Sequence, residues 1–456
     1  MFRNYFKIVL RNILRQKGFS FINILGLALG LAVFLLIMLW VQDEMSYDKF
    51  HNRTEDLYRL VVTANLGEQS FKAVVTPGEM LPFLQSQIPE IERSCRYRPL
   101  VYDVLVKAND QTFYETKLAC ADPTFFKMFN FAVISGNVEQ TLMDEFKVIL
   151  TESAANKYFG NLNCLGNNLE LSNGTQICTV GAVIKDLPHN THFDFEILMA
   201  MEFLGPFDWG NFYFNGYTQL RENTDQKMVV EKINQLIAAR ELGIKADYDL
   251  QPFKDIHLKS NFDIDMANGT SEINNNVYIF RFIALFILLI ACINFMNLST
   301  ARSSKRAREV GVRKVTGADR GSLMKQFLGE SVLFALLGML LALVIIEIVM
   351  PFFNDLTGKS LSLWKEGNLF LILQIGILTI STGLLAGLYP SWYLSSFQPV
   401  RIMKGDLGKQ KTALRKILVV SQFALSIILI FGTVMVSRQL TFIRQKNLGF
   451  NKDNLV

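Results

Sequence analysis

Five apolar stretches of about twenty residues each, 21–41, 282–301, 331–353, 369–389 and 417–437, decide what this chain can become. A helix rises about 1.5 Å per residue, so each stretch is long enough to cross a hydrocarbon layer roughly 30 Å thick. Glu347 is the one charged residue within them. Helices satisfy their backbone polar groups internally, as lipid demands, and the expected fold is a membrane-spanning α-helical bundle of five spans. The first stretch reads as a retained anchor. Its apolar core exceeds a signal-peptide h-region, and residues 42–46, Gln-Asp-Glu-Met-Ser, offer no Ala-x-Ala site. Ahead of it, Phe2, Phe6, Val9, Leu10, Ile13 and Leu14 recur at helical spacing opposite Arg3, Lys7, Arg11, Arg15 and Lys17. That pattern predicts a cytoplasmic amphipathic helix over 1–20, lying among membrane lipid headgroups.

Charge orients the bundle, because Lys and Arg close to a span stay on the cytoplasmic side. Three connections are basic: 1–20 has five bases and no acid, 302–325 has eight bases against Glu309 and Asp319, and 391–416 is basic as well. Residues 42–276 are the opposite, with 20 Lys/Arg against 33 Asp/Glu, net −13, while the rest of the chain is net +18. An inside N-terminus, an outside 42–276, and inside loops after the second and fourth spans place every basic cluster on one side. The expected location is the inner (cytoplasmic) membrane, multi-pass.

The outside region is long enough for its own core. Residues 57–63, 147–151 and 176–184 are rich in β-branched side chains and predict strands. Residues 77–87 predict a helix with Pro77 in its first turn, 153–159 a helix capped by Gly160, and 225–242 a longer amphipathic helix through Val229, Val230, Ile233, Leu236 and Ile237. An extracytoplasmic α+β domain over 42–276 follows.

The segment 302–317 has the makings of a helix, a tight turn and a re-entry. Lys305, Arg306, Glu309 and Arg313 stand at helical neighbour spacings, Gly317 permits a left-handed stop, and Asp319 can cap the helix leading into the third span. The plain alternative is that its bases only bind anionic lipid.

Ordered motifs on both sides of the membrane carry a family resemblance. Asp48-Lys-Phe-His-Asn52, Asp122-Pro-Thr-Phe-Phe126, Ile149-Leu-Thr-Glu-Ser153 and Gly181-Ala-Val-Ile-Lys-Asp-Leu-Pro188 resemble the extracytoplasmic core domain of MacB-like permeases. Arg308-Glu-Val-Gly-Val-Arg-Lys-Val-Thr-Gly-Ala318, Gly387-Leu-Tyr-Pro-Ser391 and Gln398-Pro-Val-Arg401 are similar to the FtsX-type permease module of the same ABC transporter superfamily. The resemblance divides the chain into the core domain at 42–276, a permease domain at 277–400 with spans near 278–301, 327–350 and 369–390, a cytoplasmic linker at 401–416 and a fifth span at 417–438.

The resemblance implies a non-enzymatic permease subunit that exports a drug, peptide or lipoprotein, or alternatively an ATP-driven regulatory permease that controls a cell-wall hydrolase or senses antimicrobial peptides. It implies a cytoplasmic ABC ATPase dimer as partner, a second permease half from the same chain or a homodimer copy, and a periplasmic adaptor. ATP would bind the ATPase. No Gly-x-x-x-x-Gly-Lys-Ser/Thr phosphate loop occurs here, and no cofactor, metal, catalytic or nucleic-acid site is expected. The segment 302–317 becomes, by resemblance, the ATPase-coupling helix, with Arg308, Glu309, Val310, Gly311, Arg313 and Lys314 as its contact surface.

Other residues carry weaker expectations. Gly26, Gly30, Gly383 and Gly387 form two Gly-x-x-x-Gly spacings that allow close helix packing, within one bundle or between two. Glu330 and Glu347 are expected at the interfacial ends of the third span, Arg281 at the outer edge of the second, and Asn294 and Asn297 in interhelical hydrogen bonds. His189 and His192 lack a third metal ligand and read as a turn. Cys95, Cys120, Cys164 and Cys178 fall outside, where a Cys164–Cys178 disulfide or buried thiols are both open readings. Leu414-Arg-Lys-Ile-Leu418 is similar to Leu10-Arg-Asn-Ile-Leu14, so 439–456 is expected to open a second outside domain.

Overall fold

The computed structural model describes residue 11 and residues 17–66, 69–109, 111–171, 176–210, 212–240, 245–265, 273–301, 310–364, 369–396 and 412–445. Most of the expected helix over 1–20, most of the linker at 401–416 and the final residues 446–456 lie outside them. The chain forms two units, a helical one from Met1–Val41 with Tyr278–Val456 and a sheet unit from Gln42–Val277.

In the helical unit all five expected spans are single helices: Lys17–Glu44, Ile273–Ala301, Arg320–Thr357, Leu369–Ser395 and Thr412–Gln445. Each is long and apolar enough to cross a membrane. Close helix approaches run through the glycines. A Cβ on Gly30 would stand 2.4 Å from the Ala291 Cβ, and one on Gly387 would stand 2.6 Å from the Ser331 Cβ. Gly26 faces Asn294 and Gly383 faces Val332, so both Gly-x-x-x-Gly pairs pack within this bundle. Asn297 Nδ2 donates to Gln422 Oε1 of the fifth span at 3.3 Å. Glu347 accepts from Trp364 Nε1. Glu330, beside the start of the apolar stretch 331–353, is 5% exposed, in a niche with Phe19, Phe295, Phe327 and Phe334.

The sheet unit is built on one long sheet. Its strands run in the order Lys245–Pro252, Leu57–Leu66, Phe212–Leu220, Ile91–Leu100, Leu118–Ala121, Ile197–Ala200, Lys147–Thr151, Gln176–Ile184, Asn168–Leu171, Val104–Ala108 and Gln111–Glu115. The two-residue period of a strand explains how both faces are covered. Val148 and Leu150 enter one apolar cluster while Ile149 enters the other, and Leu118 and Cys120 alternate with Ala119 and Ala121 in the same way. Helix Glu152–Phe159, capped by Gly160 as expected, covers the first face with Ala154, Ala155 and Tyr158. Helices Met80–Gln87 and Gln226–Ala238 cover a third cluster around Leu60, Val62 and Leu250.

Two helix expectations need correction. Pro77 ends the strand Val75–Pro77, pairing with Phe212, and the helix begins three residues later at Met80. The long amphipathic helix stops at Ala238 rather than 242, with Asp225 as its N-cap. The cysteines of the sheet unit are free, buried thiols, and burial pushes Cys178 up to about 11. Arg59 and Asp265 meet at 2.9 Å with both side chains fully buried; Gln251 Oε1 accepts from Arg59 Nε and Nη2, and Ser260 Oγ accepts from Nη2.

Candidate functional site

Two places gather polar side chains for which the fold alone gives no reason. The first is the basic re-entry in the helical unit. Residues 310–315 are helical and Gly317 follows at φ 99°. Ala318 N donates to Arg313 O and Gly317 N to Lys314 O, the paired 6→1 and 5→2 bonds of a Schellman stop. A left-handed residue is required there, which a side chain would strain. Asp319 then accepts from Ser322 N and starts the third span. The whole reversal occupies residues 316–319.

The structure turns this element in a particular way. Val310 is 1% exposed against Leu323, Phe327 and Leu394, and Gly311 is buried beside it. Arg313 Nη1 donates to Gln326 Oε1 at 2.6 Å and Lys314 Nζ to the Ser395 carbonyl at 2.7 Å, tying the element to the third and fourth spans. Burial, and then Arg320, hold the Lys314 ammonium below the usual lysine range. The side chains left facing outward are Val312 and Val315, 66% and 69% exposed and three residues apart on one helical face. Of the six residues expected to form the contact surface, Val310 and Gly311 therefore point inward, Arg313 and Lys314 brace the bundle, and Arg308 and Glu309 lie outside the described residues.

The second place is the stretch that follows the first span in the sheet unit, where all four histidines of the chain meet acidic residues of 43–51 or belong to it. Asp43 Oδ1 lies 2.6 Å from His189 Nε2, and Glu44 Oε2 lies 2.5 Å from His257 Nε2. The His257 ring also stacks on Tyr47. Asp48 is 1% exposed and φ 58°; its carboxylate accepts from Thr191 Oγ1 and contacts His192 Nδ1 at 2.8 Å, while His192 Nε2 reaches Tyr217 Oη at 2.8 Å. Burial pushes the Asp48 carboxyl up, but His192, Thr191 and His51 outweigh it and leave it below the usual carboxylate range.

His51 completes the group among Phe129, Phe131 and Phe253. Its Nδ1 accepts from Asn130 N, so the other ring nitrogen carries the proton of the neutral form. Burial drops its pKa to about 4 against the pull of Asp48. Sequence reading found His189 and His192 as a turn, which they form, but missed their carboxylate partners. The available signal was the acidic triplet Asp43, Glu44 and Asp48 directly after a span in a chain with only four histidines.

The sequence matches the MacB-like periplasmic core domain over residues 20–236 and the FtsX-like permease C-terminal description over 281–399. The macrolide export ATP-binding/permease protein MacB of Escherichia coli is 33% identical over 138 residues, 30% of this chain and 20% of that protein. The match thus spans a fifth of that relative's length. An uncharacterized ABC transporter permease of Bacillus subtilis, YvrN, is 22% identical over 433 residues, 88% of this chain and 99% of that one. The crystal structure of the periplasmic region of MacB from Actinobacillus actinomycetemcomitans is similar at 13% identity and a TM-score of 0.34, covering 45% of this chain and 92% of that one. With a periplasmic-type sheet unit set between the first and second of five span-length helices, and both family descriptions matched in that order, the chain belongs to the multi-pass ABC transporter permeases of the MacB/FtsX type.

Proposed function

We propose that this chain is an inner-membrane permease subunit through which a separate cytoplasmic ABC ATPase moves the sheet unit on the outer side to extrude a substrate. The N-terminus and the basic connections lie inside, as the charge distribution requires. The observation that carries this reading is the re-entry at 310–323. The helical residues 310–315, closed by a Schellman stop and tied by bonds from Arg313 and Lys314 to neighbouring spans, present two exposed valines on one face, and Asp319 caps the helix that follows. Isolated apolar pairs on a braced basic helix suit a docking cleft better than lipid headgroups, which would be met by the bases themselves.

The test is co-purification of the co-expressed ATPase with a Val312→Asp/Val315→Asp double variant. Both side chains are exposed, so the permease is expected to keep its melting temperature while the ATPase is lost by at least about tenfold. Undiminished co-purification would sink the docking assignment. The proposed substrate is a drug, peptide or lipoprotein; macrolide export is what the Escherichia coli relative's name describes.

A further inference from the structure

A cavity of about 290 Å³ opens on the sheet unit beside the histidine cluster. Its floor is apolar and aromatic: Tyr97, Leu100, Leu118 and the ring of His192 are all buried. Both His192 nitrogens are already engaged by Asp48 and Tyr217, so the ring offers the cavity only its carbon surface. The rim is different. Val101 and Tyr102 stand 77% and 54% exposed, followed by exposed Asp103, and none of the three is held by a side-chain hydrogen bond, ion pair or ring contact among the described residues. Asp194, which also lines the cavity, pairs with Lys117 at 2.9 Å, so Asp103 is the lining carboxylate without an ion pair among the described residues.

An aromatic floor with one unneutralised carboxylate and a free tyrosine at the rim has a definite chemical complement. Tyrosine faces attract cations within about 6 Å, and a carboxylate strengthens the preference. The volume lies at the lower end of the roughly 300–1,000 Å³ typical of ligand sites and suits one small head group rather than a whole large molecule. Residues 42–276 are net −13, so the field of the unit concentrates cations and repels anions at its surface. We propose that this cavity binds the cationic, partly apolar end of a ligand, an aryl or alkyl ammonium group. Such an occupant would lie against His192, whose Nδ1 is bonded to Asp48, four residues beyond the end of the first span at Glu44. Naming that ligand as cargo rests on the permease reading; the binding itself does not.

The full chain in lipid nanodiscs, with empty nanodiscs subtracted, would be titrated with benzyltrimethylammonium and, as its opposite-charge counterpart, benzenesulfonate. Saturable binding of the cation alone is expected. Tyr102→Ala and Asp103→Asn are each expected to weaken it by about fivefold, the size of a partly solvated cation–π or charge contact. Glu139→Gln, an acid paired with Lys127 away from the cavity, is the unchanged control. Equal affinity for the sulfonate, absence of saturable cation binding, or unaltered affinity in both rim variants would overturn the proposal. ATPase co-purification on the same preparations separates the two readings, since its loss leaves cation binding untouched and cation binding can fail with docking intact.

Discussion

In the sheet unit Arg59 and Asp265 meet with no exposed surface between them, and Asp48, His51, His192 and Tyr217 share a buried polar cluster walled by phenylalanines. In the helical unit close helix approaches involve no charge at all: they are places where Gly30 and Gly387 lack a side chain. The difference follows from the two solvents. Water drives apolar side chains together without regard to register, so buried polar pairs can select one arrangement among many. Lipid tails are as apolar as leucine, and helices in them associate largely where small residues let backbones approach closely enough for dispersion to accumulate. One unit is specified by what it buries and the other by what it omits.

Arg59→Met is the harshest way to break that contrast. It leaves Asp265 buried without its cation, a loss of about 3–5 kcal/mol. Denaturant unfolding followed by amide exchange should show the sheet unit destabilised and the spans unchanged; a joint loss would mean the two units do not rely on separate devices.

Acidification probes the same unit more gently. His51 is neutral when folded, with a pKa of about 4, and titrates near its ordinary 6.5 when unfolded. The unfolded chain therefore binds the extra proton first, and stability falls as pH drops from about 6.5 to about 4, by on the order of 3 kcal/mol, with no contribution above that window. The depressed Asp48 carboxyl adds a further loss only once pH falls below its ordinary carboxylate range. In His51→Asn the slope between pH 6.5 and 4 should flatten, and an unchanged slope would assign the acid sensitivity elsewhere.

Gly30→Leu is the counterpart in lipid. Its first added carbon would meet the Ala291 Cβ at 2.4 Å, and overpacking of this kind costs about 1–3 kcal/mol. Steric trapping or thermal denaturation in nanodiscs should register the loss in the helical unit while the sheet unit keeps its melting transition.

Much of this was legible in the chain. Residues 147–151 and 176–184 announce strands because Val, Ile and Thr crowd them, and the stop at Gly317 with the cap at Asp319 could be placed from residue type alone. The strands Leu118–Ala121 and Ile197–Ala200 were invisible: four residues each, with at most one β-branched side chain, they exist because neighbours on both sides pair with them. The pairing of His192 with Asp48 spans 144 residues, and no local signal reports such a separation. The inward turn of Val310 was equally hidden, because helical spacing gives faces but not which face meets the bundle.

The third span has a mechanical consequence. At 38 residues it is about 57 Å long, nearly twice the thickness of the hydrocarbon layer. Its base is clamped by the four-residue reversal rather than hung on a loose tether. A rod fixed in that way transmits rotation as leverage. A tilt of about 5° at that base would sweep the far end sideways through about 5 Å.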